Sequence, residues 1–360
     1  MINVTKPFLP DIREYESYLQ SIYKNNWLTN NGPLEQELTS RLSDYLGVKN
    51  LILVANGTLA LTLAYRLLGI KKHAITTPFS YVATTSSLVW DNIKPEFADI
   101  ASKTFTIDVP QIEKVLASSI GTDIEAIVPV HVFGNGCDID NIKKIADREK
   151  IKVVYDASHT FSVKYKNSSI LNCGDISTLS FHATKLFHTI EGGALIINDD
   201  ELFARAKQMI NFGYDSSGDI SDIGLNAKLS EFHAAMGLAV LNHIDDIIES
   251  RKIIVEHYYK LLGDSFKYPE YNKNCTLNYS YFPILFKDES SLIQCIEHLN
   301  NNGVFPKRYF YPSLNTLPYI ESQDEMFVSS DISNRIMCLP LYPDLKLKEV
   351  DFIVKLIKEA

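Results

Sequence analysis

The chain has 360 residues, 46% of them hydrophobic and 22% charged, and a formal net charge of −9. That length supports a large core with a second, smaller lobe, while the acidic balance argues against nucleic acid or anionic lipid as a main partner. Any bound phosphate must then be held locally, by amides, hydroxyls and helix ends.

In chain order, Leu51–Ala55 reads as a strand and Thr58–Leu68 as a helix beyond an Asn56-Gly57 turn. Ala74–Thr77 is a short strand, Ser80–Trp90 a helix, and Pro95–Ala98 and Ile124–Val130 are strands separated by a helix at Pro110–Ala117. Ile139–Glu149 reads as a helix and Lys152–Tyr155 as a strand; Ile176–Phe181 and Ala194–Ile197 add two more strands. This repeated strand–helix order implies a largely parallel sheet with helices on its faces. Leu229–Leu241 and Ile244–Leu262 then read as long helices. Beyond Gly263 come a strand-like Tyr281–Phe286, a helix at Ser290–Asn301, a Pro- and Tyr-rich loop at Pro306–Pro318 and a closing helix near Lys348–Ile357. The expected division is a large domain over 1–244 and a small C-terminal one over 245–360.

The five cysteines, Cys137, Cys173, Cys275, Cys295 and Cys338, form no C-x-x-C pair. An odd, scattered set points to reduced thiols in a cytosolic protein and to no metal site. Met1–Pro10 has no apolar signal core, and no segment is long enough to span a bilayer. A cytoplasmic location is the expectation.

Three motifs fall at the C-terminal ends of strands, where open parallel sheets bind ligands. Asn56-Gly57-Thr58 lies between a strand and a helix. Its glycine lets backbone approach an anion, the helix end offers free N–H groups and Thr58 adds a hydroxyl; an ordinary capped turn has the same sequence. Asp156 ends the strand Lys152–Tyr155, with His159 three residues on. A carboxylate there needs a cationic or N–H partner, such as a pyridinium nitrogen, and His159 would hydrogen-bond a ring substituent. An Asp capping the next turn is the alternative. Phe79 and Tyr81 follow Ala74–Thr77, and an aromatic at that point either stacks on a flat ring or belongs to the core. No G-x-x-x-x-G-K-[ST] or G-x-G-x-x-G motif occurs, which weakens nucleoside triphosphate and nicotinamide readings.

The most informative run is Ser180-Phe181-His182-Ala183-Thr184-Lys185, followed by Glu191-Gly192-Gly193. A lysine amine is a poor nucleophile at neutral pH unless desolvated or placed near other cations. Lys185 follows an apolar stretch, which makes it a candidate for carbonyl chemistry, most simply a Schiff base; a lone lysine is otherwise a solvated charge. Ser180 would reach a phosphate while Lys185 reaches an aldehyde on the same ring. Asn226 precedes a long helix and by itself reads as a turn or cap residue.

Taken together these pieces resemble the DegT/DnrJ/EryC1/StrS sugar aminotransferases, which belong to the aspartate-aminotransferase (fold type I) group of pyridoxal-phosphate enzymes. The resemblance rests on an ordered set. It runs through Trp27-Leu28-Thr29-Asn30-Asn31-Gly32-Pro33, Asn56-Gly57-Thr58, Thr77-Pro78-Phe79-Ser80-Tyr81-Val82-Ala83-Thr84 and Pro129-Val130-His131-Val132-Phe133-Gly134. Asp156-Ala157-Ser158-His159, the lysine run, Asn226 and Tyr309-Phe310-Tyr311-Pro312 complete it.

The resemblance implies an α/β fold type I chain: a large domain with a mostly parallel mixed sheet flanked by helices, plus a smaller C-terminal α/β domain. It implies pyridoxal 5'-phosphate as cofactor, held as an internal aldimine by Lys185, which would also shuttle the proton. Asp156 would pair with the pyridine nitrogen, His159 would sit near the ring hydroxyl and Tyr81 would stack on the ring. Gly57, Thr58 and Ser180 would hold the phosphate, and Asn226 would reach the phosphate of a neighbouring subunit in a homodimer with shared sites. Tyr309 and Tyr311 would face the substrate. Relatives with His in place of the lysine are dehydratases, so Lys185 favours transamination.

L-Glutamate is the amino donor the family implies. Trp27–Pro33 resembles members that aminate the sugar 4-position, and Val4-Thr5-Lys6-Pro7-Phe8-Leu9-Pro10 resembles enzymes that make dTDP-4-amino-4,6-dideoxyglucose from dTDP-4-keto-6-deoxyglucose for a surface polysaccharide such as O-antigen. The alternatives are the 4-amino-galacto epimer, a GDP- or UDP-linked keto sugar, a pyridoxal-phosphate enzyme of another reaction type, or a non-catalytic regulator on the same fold.

Overall fold

The computed structural model describes residues 1–321 and 325–360. From the N-terminus come β1 (Ile2–Asn3), α1 (Ile12–Asn25), α2 (Pro33–Leu46), β2 (Leu51–Val54), α3 (Gly57–Leu68), β3 (His73–Thr76), α4 (Val82–Trp90) and β4 (Lys94–Phe97). Then follow α5 (Val109–Leu116), β5 (Ile124–Val128), α6 (Ile139–Glu149), β6 (Lys152–Asp156), a hairpin of β7 (Lys164–Tyr165) and β8 (Ser168–Ser169), β9 (Ile176–Ser180), β10 (Gly193–Ile197) and α7 (Asp200–Met209). The rest is α8 (Glu231–Leu241), α9 (Ile244–Leu262), β11 (Pro283–Leu285), α10 (Glu289–Asn301), β12 (Val304–Phe305), α11 (Phe327–Arg335), β13 (Ile336–Cys338) and α12 (Leu347–Glu359).

Seven strands form one sheet in the order β2-β10-β9-β6-β5-β3-β4. All pairings are parallel except those of β10, which runs antiparallel to both β2 and β9. Successive strand residues point to opposite faces, and both faces are covered. Leu51, Leu53, Val153 and Tyr155 join a core with α2, α6 and α8, while Ile52, Val54, Val154 and Ile176 join a second core with α3 and α7. Burial on both faces is why these strands read as continuous apolar runs.

A third core holds the C-terminal lobe, where Phe282 and Ile284 pack against Leu292, Met337, Val350 and Ile353. Helix α9 serves two cores: Ile244 and Ile247 pack in the first, Ile254, Tyr258 and Leu262 in the third.

The observed elements depart from the sequence reading at their ends and in number. The helix expected from Ser80 begins at Val82, because Tyr81 is an extended cap (φ −67°, ψ 145°). The strand expected over Tyr281–Phe286 is only Pro283–Leu285. Helices α1, α2, α7 and α11 are additional to those read from the sequence.

Candidate active site

One wall of the site forms where β2 gives way to α3. Asn56 caps the helix, its Oδ1 accepting the N–H of Leu59 at 2.9 Å. The first N–H groups of the helix have no intrahelical acceptor and lie at the positive end of its dipole. Ser180, the last residue of β9, comes so close that a Cβ on Gly57 would lie 2.8 Å from Ser180 Cβ. Gly193 pairs with Ser180 across the ladder, and a Cβ there would lie 2.7 Å from the Asn56 carbonyl carbon. Two missing side chains thus let a helix N-terminus and two hydroxyls, Thr58 and Ser180, meet at one spot.

Asp156 ends β6 and is 5% exposed. Its Oδ1 accepts the hydroxyl and the N–H of Ser158, at 2.6 and 3.1 Å, and its Oδ2 accepts the Thr84 hydroxyl at 2.7 Å. His159 is buried, with its ring parallel to Phe310 at 5.8 Å and edge-on to Tyr281 at 4.7 Å. Its Nδ1 accepts the Phe133 N–H at 3.2 Å. Burial holds the imidazole well below its ordinary pKa, with Lys185 and His131 adding to the effect. His159 is therefore neutral, with its proton on Nε2. Its carbonyl accepts Asn278 Nδ2 at 2.9 Å and Ser280 Oγ at 3.1 Å, which ties this turn to the C-terminal lobe.

Lys185 sits in the turn that links β9 to β10, its N–H donating to the His182 carbonyl at 2.9 Å. It is half-buried. Burial lowers its pKa, and the nearby Asp156 and Tyr81 pull the other way. A depressed lysine pKa enlarges the fraction present as free amine, the form that attacks carbonyls and takes up protons.

Asn56, Gly57, Thr58, Tyr81, Asp156, His159, Ser180, Lys185 and Tyr309 line one cleft of about 730 Å³. Tyr81 is 56% exposed. Tyr311 is not among the cleft-lining residues; it is half-exposed, and the Arg308 guanidinium lies 3.5 Å over its ring centre. Asn226 is exposed, bridges to Asn211 and does not line this cleft. The cleft also takes in Ser80, Ser158, His182, Glu191, Tyr281 and Phe310, which sequence reasoning did not single out. Ser158 and His182 stand inside motifs already in view, whereas Tyr281 arrives from another lobe and carries no local signal.

The residues present fit pyridoxal phosphate. A phosphate-sized anion would find room at the Gly57–Ser180 cradle, which a Cβ would fill. A cationic ring nitrogen would find a buried carboxylate in Asp156, an aldehyde would find the Lys185 amine, and a flat ring would find the part-exposed Tyr81 beside the cleft.

The chain is 40% identical to the dTDP-4-amino-4,6-dideoxy-D-glucose transaminase of Shigella dysenteriae, over 99% of this chain and 98% of that one. It is 37% identical, with the same coverage, to the protein of that name from Escherichia coli. Among solved structures, DesI with its TDP-sugar product superposes with a TM-score of 0.93 at 27% identity, covering 99% of this chain and 92% of DesI. A putative PLP-dependent aminotransferase from Bacillus cereus does so with a TM-score of 0.91 at 26% identity, covering 99% of each. The sequence profile of the DegT/DnrJ/EryC1/StrS aminotransferase family matches residues 11–358, and the chain belongs to that family.

Proposed function

We propose that this aminotransferase moves the amino group of L-glutamate to the 4-keto position of dTDP-4-keto-6-deoxyglucose, giving dTDP-4-amino-4,6-dideoxyglucose for a surface polysaccharide. The observation that carries the reading is the convergence of Lys185, Asp156 and the Gly57–Ser180 cradle in one cleft, in a chain 40% identical to a transaminase named for that product.

When bound, pyridoxal phosphate supplies an aldehyde that takes up the amino group and a ring that withdraws electrons. The chain's own groups do the rest. The Lys185 Nζ takes the α-proton of the donor and returns a proton during the second half of the exchange. Positioned acid–base catalysis of this kind is worth ~10²–10⁴-fold. Asp156 keeps a negative charge against the ring nitrogen. The N–H groups of Gly57 and Thr58, with the hydroxyls of Thr58 and Ser180, hold the phosphate. His159 donates from Nε2 to the ring oxygen, and Tyr81 covers the ring face.

The working unit is a homodimer in which Asn226 completes the neighbouring site. Its exposed position outside its own cleft supports this, as do the exposed Phe212, Tyr214, Ile220 and Ile223 on the same stretch of chain. No helix among the described residues is long and apolar enough to cross a membrane, and the five cysteines are free. Free thiols fit a cytoplasmic enzyme.

The test is to incubate the protein with glutamate and a panel of dTDP-, UDP- and GDP-linked 4-keto sugars and to assign the product by NMR. Amination of the dTDP sugar with gluco configuration is expected. Preference for another nucleotide, or a galacto product, would overturn the reading.

A further inference from the structure

The acidic group of the site is held by a hydroxyl relay that starts on a different element. Tyr81 caps α4 and Thr84 is the third residue of that helix. Cap and third residue lie on one side of a helix end, so a single turn carries both the exposed Tyr81 and the buried Thr84 hydroxyl. Ser80, the residue before the cap, is also buried, and its Oγ lies 2.9 Å from Thr84 Oγ1.

Proton counting fixes the direction of the relay. Asp156 as carboxylate can only accept, so Thr84 spends its one hydroxyl proton on Oδ2. Ser80 must then donate to Thr84. The relay runs Ser80 to Thr84 to Asp156, and each hydroxyl bond polarises the next.

Counting acceptor sites on the carboxylate gives a second result. Each carboxylate oxygen offers about two lone-pair directions. Oδ1 has both taken, by the Ser158 hydroxyl and N–H. Oδ2 has one taken, by Thr84. One acceptor direction is left, and it belongs to Oδ2.

We infer that Thr84 is a positioning residue: its hydroxyl fixes the Asp156 carboxylate so that the free lone pair of Oδ2 meets the cofactor's ring nitrogen. This rests on the reading that Asp156 faces that nitrogen. Without the hydroxyl, Oδ2 has two open directions in a buried setting, and only the two Ser158 bonds to Oδ1 still hold the carboxylate, so Oδ2 is less tightly placed. The ring nitrogen is then less firmly protonated. A protonated ring makes the cofactor-linked Lys185 nitrogen a weaker base, because like charges disfavour each other. A less tightly placed Oδ2 relaxes that effect.

The experiment compares Thr84→Val, Thr84→Ser, Ser80→Ala and Asp156→Asn as holoenzymes purified with pyridoxal phosphate. Two signals are read besides activity: the rate of cofactor release on dilution, and the pH midpoint at which the visible band converts. Thr84→Val is expected to release cofactor ~10–100-fold faster, the scale of one hydrogen bond to a charged group, and to move the midpoint to higher pH. Thr84→Ser, which keeps the hydroxyl, should stay with the parent chain in both signals. Ser80→Ala should move the midpoint the same way by less, and it decides the matter if Thr84→Val does not fold. A Thr84→Val midpoint equal to the parent's, or a Thr84→Ser protein as impaired as Thr84→Val, overturns the inference. If Asp156→Asn leaves the midpoint in place, the contact between Asp156 and the ring nitrogen fails. If Asp156→Asn moves it and Thr84→Val does not, only the role of Thr84 fails.

Discussion

The Glu231 carboxylate, on the first turn of α8, accepts the backbone N–H of Glu35 at 2.8 Å and that of Leu34 at 3.0 Å. Helix α2 starts at Gly32-Pro33 with no side-chain cap of its own, so Glu231 supplies the missing acceptors from across the core. The same residue donates its N–H to the Leu28 carbonyl at 3.0 Å, which pins the Trp27–Pro33 segment to α8. Glu231→Ala should cost about 2–4 kcal/mol, since it strands two buried donors at a helix start. Glu231→Gln, which keeps one acceptor, should cost about half of that. Urea unfolding of the two variants measures the difference, and equal midpoints would remove the cap from the account.

Lys185→Ala should leave a folded protein without the visible band of bound cofactor and with activity lower by at least ~10²-fold. Absorbance of the purified protein is the first measurement. A variant that keeps the parent spectrum contradicts the assignment of Lys185.

Gly57→Ala should weaken cofactor retention through crowding, because the added methyl meets Ser180 at 2.8 Å. Overpacking of this kind costs about 1–3 kcal/mol. The double variant Gly57→Ala with Ser180→Gly relieves the clash while losing the hydroxyl. It should be more stable to heat than Gly57→Ala alone yet no better at holding phosphate. Thermal unfolding and cofactor dissociation are read side by side, and a double variant no more stable than the single one refutes the crowding argument.

Subunits carrying Asn226→Ala mixed with subunits carrying Lys185→Ala should regain part of the activity that each lacks alone. In a mixed dimer one site then holds both an intact Lys185 and an intact partner Asn226. Activity is followed against mixing ratio. A flat response at the level of the single variants speaks against shared sites.

Acid should destabilise the protein from about pH 6.5 downward, the ordinary histidine value. Burial pushes His131 down to about 3 and holds His159 and His188 below their ordinary values. Below pH 6.5 the unfolded chain therefore binds protons that the folded chain refuses, and stability falls as pH falls. Glu35 opposes this. Burial, with the Glu231 charge adding, pushes it up to about 7, so the folded chain gains its proton first. Its stabilisation is present below the ordinary carboxyl range and is lost as pH rises through about 7. Each fully unmatched histidine contributes a slope of ~1.4 kcal/mol per pH unit, against a similar slope from Glu35 between pH 5 and 6. Glu35→Gln should accordingly make the loss between pH 6.5 and 5 steeper. Chemical unfolding at a series of pH values tests it, and a shallower loss in the variant would reverse the assigned sign.

Much of the sheet can be read from the sequence because its strands are buried on both faces. Leu51–Val54 and Lys152–Asp156 stand out as apolar runs with the Gly57 and Asp156 motifs at their ends, and the Lys185 run follows Ile176–Ser180. Helix α2 carries its own signal: Leu34, Leu38, Leu42 and Leu46 recur every fourth residue and are all buried. Other features have no local trace. Strand β1 pairs Ile2 with Val304, and Tyr281 reaches the His159 ring from the far lobe. Thr84 looks like any helix-start threonine until the fold brings it to Asp156. Such contacts depend on chain segments far apart in sequence, which no window of spacing or propensity reports.

The antiparallel course of β10 has an engineering consequence. Because β9 and β10 are neighbours and Ser180 faces Gly193, residues 181–192 leave the sheet and re-enter it one strand away. Lys185 thus rides on a handle riveted at its base, with Phe187 driven edge-on into Phe181 at 4.9 Å. The outer rim, His182 and Thr184, faces solvent. A protein engineer can rework that rim without re-registering the sheet, provided the rivets, Ser180, Phe181, Phe187 and Gly193, are left alone.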